Sequence, residues 1–133
     1  MIPPGAHGIV GIGVDVVDID RIERMLDRHG ERALRRLLTG GERAYCSRSA
    51  NPAQHVAARV AAKEAAYKAL QVDPEAASVW WLDLEVQTEA NGGPSLHMHR
   101  LAAEAARRLG VSHSFLSLSH SGTTAVAFVT LVR

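Results

Sequence analysis

The chain has 133 residues, 47% of them hydrophobic and 22% charged, the proportions of a single globular domain. A formal net charge of +1 provides no chain-wide attraction for nucleic acid or an anionic membrane, so a charged partner must be met by a local patch. Cys46 is the only cysteine, which excludes an internal disulfide and leads us to expect a reducing, cytoplasmic setting.

Residues 1–7 carry no basic segment followed by an apolar run. They are expected to be a loose tail ahead of one domain over 8–133. Residues 8–17 read as a buried strand rich in Ile, Val and Gly. Asp18 or Asp20 then caps a helix with Ile22, Met25 and Leu26 on one face and Arg21, Arg24 and Arg28 on the other. A second helical stretch is predicted over 31–38. A short one follows over 42–47, after the break at Thr39-Gly40-Gly41. Asn51 at N-cap and Pro52 at N1 start a long alanine-rich helix that ends near Leu70.

Over 80–89 the alternation predicts a half-buried strand. Trp80, Leu82, Leu84 and Val86 share its inner face, and Trp81, Asp83, Glu85 and Gln87 its outer face. Asn91-Gly92-Gly93-Pro94 turns the chain into a return strand over 95–99. Residues 100–109 read as a helix closed by Gly110. Strands over 115–119 and 124–132 flank the turn Ser121-Gly122-Thr123. The order strand, helices, hairpin, helix, hairpin gives an α+β domain, with no bilayer-spanning segment among its elements.

Three groups of residues can carry chemistry. Asp15 stands inside the apolar strand. Either it lies at an exposed end or pairs with an arginine, or it binds metal, because a buried carboxylate needs compensation. The run Arg59-Val60-Ala61-Ala62-Lys63-Glu64-Ala65-Ala66-Tyr67-Lys68 places Glu64 and Lys68 on one helix face. They form either a solvated i,i+4 ion pair or, if Glu64 meets Asp15, a seat for a hard divalent cation with a lysine beside it for phosphate. Finally, His120 and Ser121 end a strand at a small-residue turn. This is either a plain polar hairpin or a phosphate-binding turn.

These motifs identify the chain as similar to the holo-(acyl-carrier-protein) synthases, the small class of phosphopantetheinyl transferases. Gly11-Ile12-Gly13-Val14-Asp15 with Arg21-Ile22, the central run from Arg59 to Ala65 with Lys68, and Leu116-Ser117-Leu118-Ser119-His120 with Ala125 carry the resemblance. It implies an α+β domain, a sheet packed on a long central helix, assembled as a homotrimer with active sites between adjacent subunits. It also implies transfer of phosphopantetheine from coenzyme A to a serine of an acyl carrier protein. Mg²⁺, with Mn²⁺ as a substitute, would be held by Asp15 and Glu64, and Lys68 would complete the catalytic set. Coenzyme A would meet Arg59, Lys68, Gly92, Gly93, Pro94, His120 and Ser121. The carrier protein would dock on Arg21, Met25 and Arg28. The competing expectation is a non-catalytic oligomeric module that binds coenzyme A or another nucleotide. No nucleic-acid motif is present.

Overall fold

The structure is a computed structural model that describes residues 8–133; the expected tail over 1–7 lies outside the described residues. Strand β1, Ile9–Asp18, leads into helix α1, Ile19–Leu37. The Asp18 side chain is the cap: its Oδ1 accepts from the Asp20 N–H at 3.0 Å. The two helical stretches predicted there form one element broken at Gly30, whose φ of 50° and ψ of −128° no helix accommodates. Helix α2, Gly40–Ser47, begins at a capping box. Thr39 Oγ1 accepts from the Glu42 N–H at 3.3 Å, and Glu42 Oε1 accepts from the Thr39 N–H at 2.8 Å.

Helix α3, Pro52–Leu70, is the spine of the molecule. Pro52 starts it as expected, but the Asn51 side chain makes no capping hydrogen bond. Short 3₁₀ turns at Pro74–Ser78 and Trp81–Asp83 follow. The strand expected to begin at Trp80 begins instead at Leu84: β2, Leu84–Thr88, pairs with β3, Pro94–Met98. The correction has a side-chain cause. Asp83 Oδ2 accepts from the Trp80 N–H at 2.9 Å and Oδ1 accepts from Arg100 Nε at 2.9 Å. Asp83 is therefore buried rather than outward, and Trp80 is 48% exposed, with the Arg36 guanidinium 5.6 Å from its ring centroid. Helix α4, Arg100–Leu109, ends at Gly110 in the left-handed region (φ 74°). Strands β4, His113–His120, and β5, Thr124–Val132, complete the fold.

The main sheet has the order β1-β5-β4, all antiparallel, so β1 pairs with the last strand of the chain. One face of this sheet packs on α3. The core between them includes Ala61, Ala62, Ala65, Ala66, Ala69, Ala127, Val129 and Leu131. Packing is closest along β1. A Cβ on Gly11 would lie 2.1 Å from the Ala69 carbonyl oxygen, and one on Gly13 would lie 1.7 Å from that of Ala65. Two strand residues advance about 6.6 Å and four helix residues about 6 Å, so the two repeats stay in step. The next position on this face of β1 is Asp15. The opposite face of the sheet is apolar yet open, with Ile12, Val14, Val16, Phe115 and Phe128 between 44% and 62% exposed.

Candidate active site

Because glycines 11 and 13 seat β1 directly on α3, the first side chain beyond them reaches the helix's polar residues. Lys68 Nζ donates to Asp15 Oδ1 at 2.9 Å and to the Val14 carbonyl at 3.2 Å. Lys68 therefore crosses to β1 rather than forming a solvated pair with Glu64. Glu64 lines the same open cleft, about 730 Å³, as Asp15. Burial first, and then the Asp15 charge, raises the Glu64 carboxyl above its ordinary range; Lys68 opposes this only in part. Two carboxylates with incomplete compensation form a site that favours added positive charge.

No cluster of three metal-ligating side chains occurs among the described residues. That donor set suits Mg²⁺, which takes one or two carboxylates and fills its remaining positions with water and phosphate oxygens. Arg21, Arg24, Met25 and Arg28 of α1 form the facing wall of this cleft, with Trp81 also at its edge. The helix face read from the sequence as a basic stripe is thus directed at the carboxylates.

The remaining predicted residues gather elsewhere. Arg59, Gly92, Pro94 and His120 line a second cleft of about 200 Å³ together with Tyr45, Gln54 and His55. Arg59 is 97% buried by its 3% exposure, lies 4.2 Å from the Tyr45 ring centroid, and has an Nε atom with no partner. A buried guanidinium edge left unpaired at a cleft is a seat for an anion. Gln54 Nε2 sits 2.7 Å from His120 Nε2. Burial, then Arg59 and His120, lowers the His55 imidazole below its usual range, as expected in a cationic setting. Gly93 and Ser121 are not part of this lining. Lys68 is not either: nine residues separate it from Arg59, two and a half helical turns, which puts them on opposite sides of α3 and about 13 Å apart along it.

Reasoning from sequence missed the most buried charges. Glu42 and Lys63 have side chains that are 0% exposed and pair at 2.8 Å. Lys63 Nζ also donates to the Trp81 carbonyl at 2.8 Å and to the Leu84 carbonyl, and Glu42 Oε2 accepts from the Val86 N–H at 2.9 Å. The one available signal was the capping-box spacing of Thr39 and Glu42, which says nothing of a lysine 21 residues further on.

A family model described as the 4'-phosphopantetheinyl transferase superfamily matches residues 11–129. The chain is similar to the holo-(acyl-carrier-protein) synthase of Anaeromyxobacter dehalogenans, 49% identical over 126 residues, covering 92% of this chain and 95% of that protein. It is also similar to the one from Solibacter usitatus, 42% identical over 123 residues, covering 92% and 98%. Among solved structures, the Neisseria meningitidis synthase superposes with a TM-score of 0.79 at 28% identity, covering 93% of this chain and 98% of that one. The Helicobacter pylori synthase in complex with coenzyme A gives 0.76 at 29%, covering 90% and 98%. A model that spans the Asp15, Glu64 and His120 motifs, and relatives aligned over nearly their whole length, place this chain in the 4'-phosphopantetheinyl transferase superfamily.

Proposed function

We propose that the chain transfers the 4'-phosphopantetheine group of coenzyme A to a serine of an apo acyl carrier protein and releases adenosine 3',5'-bisphosphate. The observation that carries this is the shared cleft: the Asp15–Glu64 carboxylates face the Arg21–Met25–Arg28 wall. An acidic carrier protein drawn to that wall brings its serine to the carboxylates. A module that only binds coenzyme A would use the Arg59 cleft and has no need of the other.

Asp15 and Glu64 are the residues that would hold Mg²⁺, which would neutralise charge growing on the pyrophosphate. Lys68, half exposed beside Asp15, places an ammonium at the same mouth and stabilises the transferring phosphoryl group. The serine oxygen bonds to the phosphorus that carries pantetheine, and the bond from that phosphorus to the bridging oxygen breaks. The bridging oxygen leaves with the adenosine bisphosphate. The serine proton goes to a base in the cleft. Arg59 and His120 bind phosphate in their own cleft.

Because Arg59 and Lys68 lie on opposite sides of α3, one coenzyme A molecule reaches both most simply when a second copy of the chain supplies one of them. The open apolar face of β1, β5 and β4 is where copies would associate, and three copies would close the ring as in the family resemblance. A cytoplasmic enzyme fits the buried, free Cys46. The test is the intact mass of apo carrier protein after incubation with enzyme, coenzyme A and Mg²⁺. One added phosphopantetheine, lost on adding EDTA, is the expected result. No addition with several carriers would leave coenzyme A binding alone.

A further inference from the structure

The Glu42–Lys63 pair lies outside both clefts yet touches the walls of each. Lys63 spends all three ammonium protons inside the protein, on Glu42 Oε1, the Trp81 carbonyl and the Leu84 carbonyl. Glu42 accepts from Thr39, Lys63 and Val86. Four elements meet here: α2, α3, the 3₁₀ turn at Trp81 and β2. Trp81 lines the carboxylate cleft beside Glu64, and it also lines a neighbouring apolar cavity of about 420 Å³ with Tyr67, Val79 and Trp80. Glu64 also lines both, and Lys63 lines the second, so Trp81 and Glu64 together form the partition between the two. Val86 lines the Arg59 cleft.

A pair so fully removed from water is a poor source of stability, because desolvation offsets most of the Coulombic attraction. Apolar residues of like volume would hold these elements together as well. What they would not do is fix two main-chain carbonyls three residues apart, those of Trp81 and Leu84, against one point of α3, one residue before Glu64. We propose that Glu42 and Lys63 are positioning residues for the transfer reaction: they hold the Trp81 partition and the adjoining turn of α3 so that Glu64 faces Asp15 in metal-binding geometry. This rests on the metal role given above to Asp15 and Glu64.

The test uses a Trp80→Phe background, in which Trp81 is the only tryptophan, with paramagnetic Mn²⁺ as the probe and quencher. Lys63→Met alone strands the Glu42 charge and can fail to fold, so the decisive variant is the double change Glu42→Gln with Lys63→Met. Removing both charges should leave a cooperative thermal transition. In that folded variant the Mn²⁺ concentration for half-quenching should rise roughly tenfold and kcat should fall by a similar factor, as when outer-shell supports of a metal ligand are removed. KM for coenzyme A should stay within about twofold, since the Arg59 cleft keeps its own residues.

Quenching and kcat both within about twofold of the parent would overturn the proposal and leave the pair a structural tie only. So would losses in kcat and KM that simply follow a lowered melting temperature with quenching unchanged. If the parent itself shows no Mn²⁺ quenching, or Asp15→Ala leaves the quenching intact, the metal assignment fails and takes this inference with it. The parent and the double variant thus separate the two failures.

Discussion

Glu64 carries a pH consequence that can be tested. Its carboxyl is raised in the folded chain by burial and by Asp15, so the fold keeps a proton there that the unfolded chain has already released. Metal-free stability should therefore fall as the pH climbs from the ordinary carboxylate range through the raised value. Glu64→Gln removes this titration. Without metal the variant should melt higher than the parent at neutral pH, and the difference should vanish in acid; a variant less stable at neutral pH would contradict the burial argument. Transfer by the same variant should drop about 100-fold or more if the carboxylate holds metal. Arg59 gives a second prediction. Its unpaired Nε can accept an anion in a fork that lysine cannot reproduce, so Arg59→Lys should weaken coenzyme A binding by roughly 10- to 100-fold in calorimetry, the worth of a charged hydrogen bond. An unchanged affinity would remove Arg59 from the site. Asp15 and Glu64 were legible in the sequence because each is a charge in an apolar or alanine-rich context. Lys63 was not, since its spacing from Arg59 reads as an ordinary helix surface and its burial comes from segments far along the chain.

Among the elements, α3 was legible from end to end: Asn51-Pro52 marks its start and the alanines its packing. The Trp80 segment misled, because alternating residues look the same in a strand and in a turn whose aspartate bonds back to its own backbone. The break at Gly30 was read locally, as two helical stretches with 31–38 the second, but the contact at Gly13 was not, and the two glycines predict different behaviour. No atom lies within 4 Å of a Cβ at Gly30, so Gly30→Ala should cost about 1–3 kcal/mol through its positive φ alone, without altering transfer chemistry at the cleft. Gly13→Ala drives a methyl into a helix carbonyl that cannot rotate away. It should cost about 1–3 kcal/mol or more in denaturant titrations and reduce turnover as well, because β1 must lift from α3 and carry Asp15 with it. Equal activity losses in the two variants would show that general instability, not the strand–helix distance, was responsible.

For the molecule as a whole, the sequence supplied the α+β class and the order of elements, but not the pairing of β1 with β5. That contact joins the two ends of the chain and has no local signal. The exposed face it creates is the strongest hint of assembly: Ile12, Val14 and Val16 from β1 and Phe128 from β5 form a contiguous apolar surface of the kind monomers seldom leave in water. Phe128→Asp should shift the particle toward the mass of one chain in light scattering. It should also cut transfer about tenfold or more if a site needs residues from two copies, while far-ultraviolet circular dichroism stays unchanged. A variant that remains assembled at full activity would place the interface elsewhere.

The glycine contacts along β1 act as a gauge block. With no side chain between strand and helix, the span from Asp15 to Glu64 is set by bare backbone thickness, and with the metal role proposed for these two carboxylates that span would decide which ion fits. Mg²⁺ draws its oxygens to about 2.1 Å and Ca²⁺ to about 2.4 Å, so one methyl group inserted at Gly13 would reset the caliper toward the larger ion. Ion selectivity would then be governed from a position that bears no ligand, two residues before the nearest carboxylate.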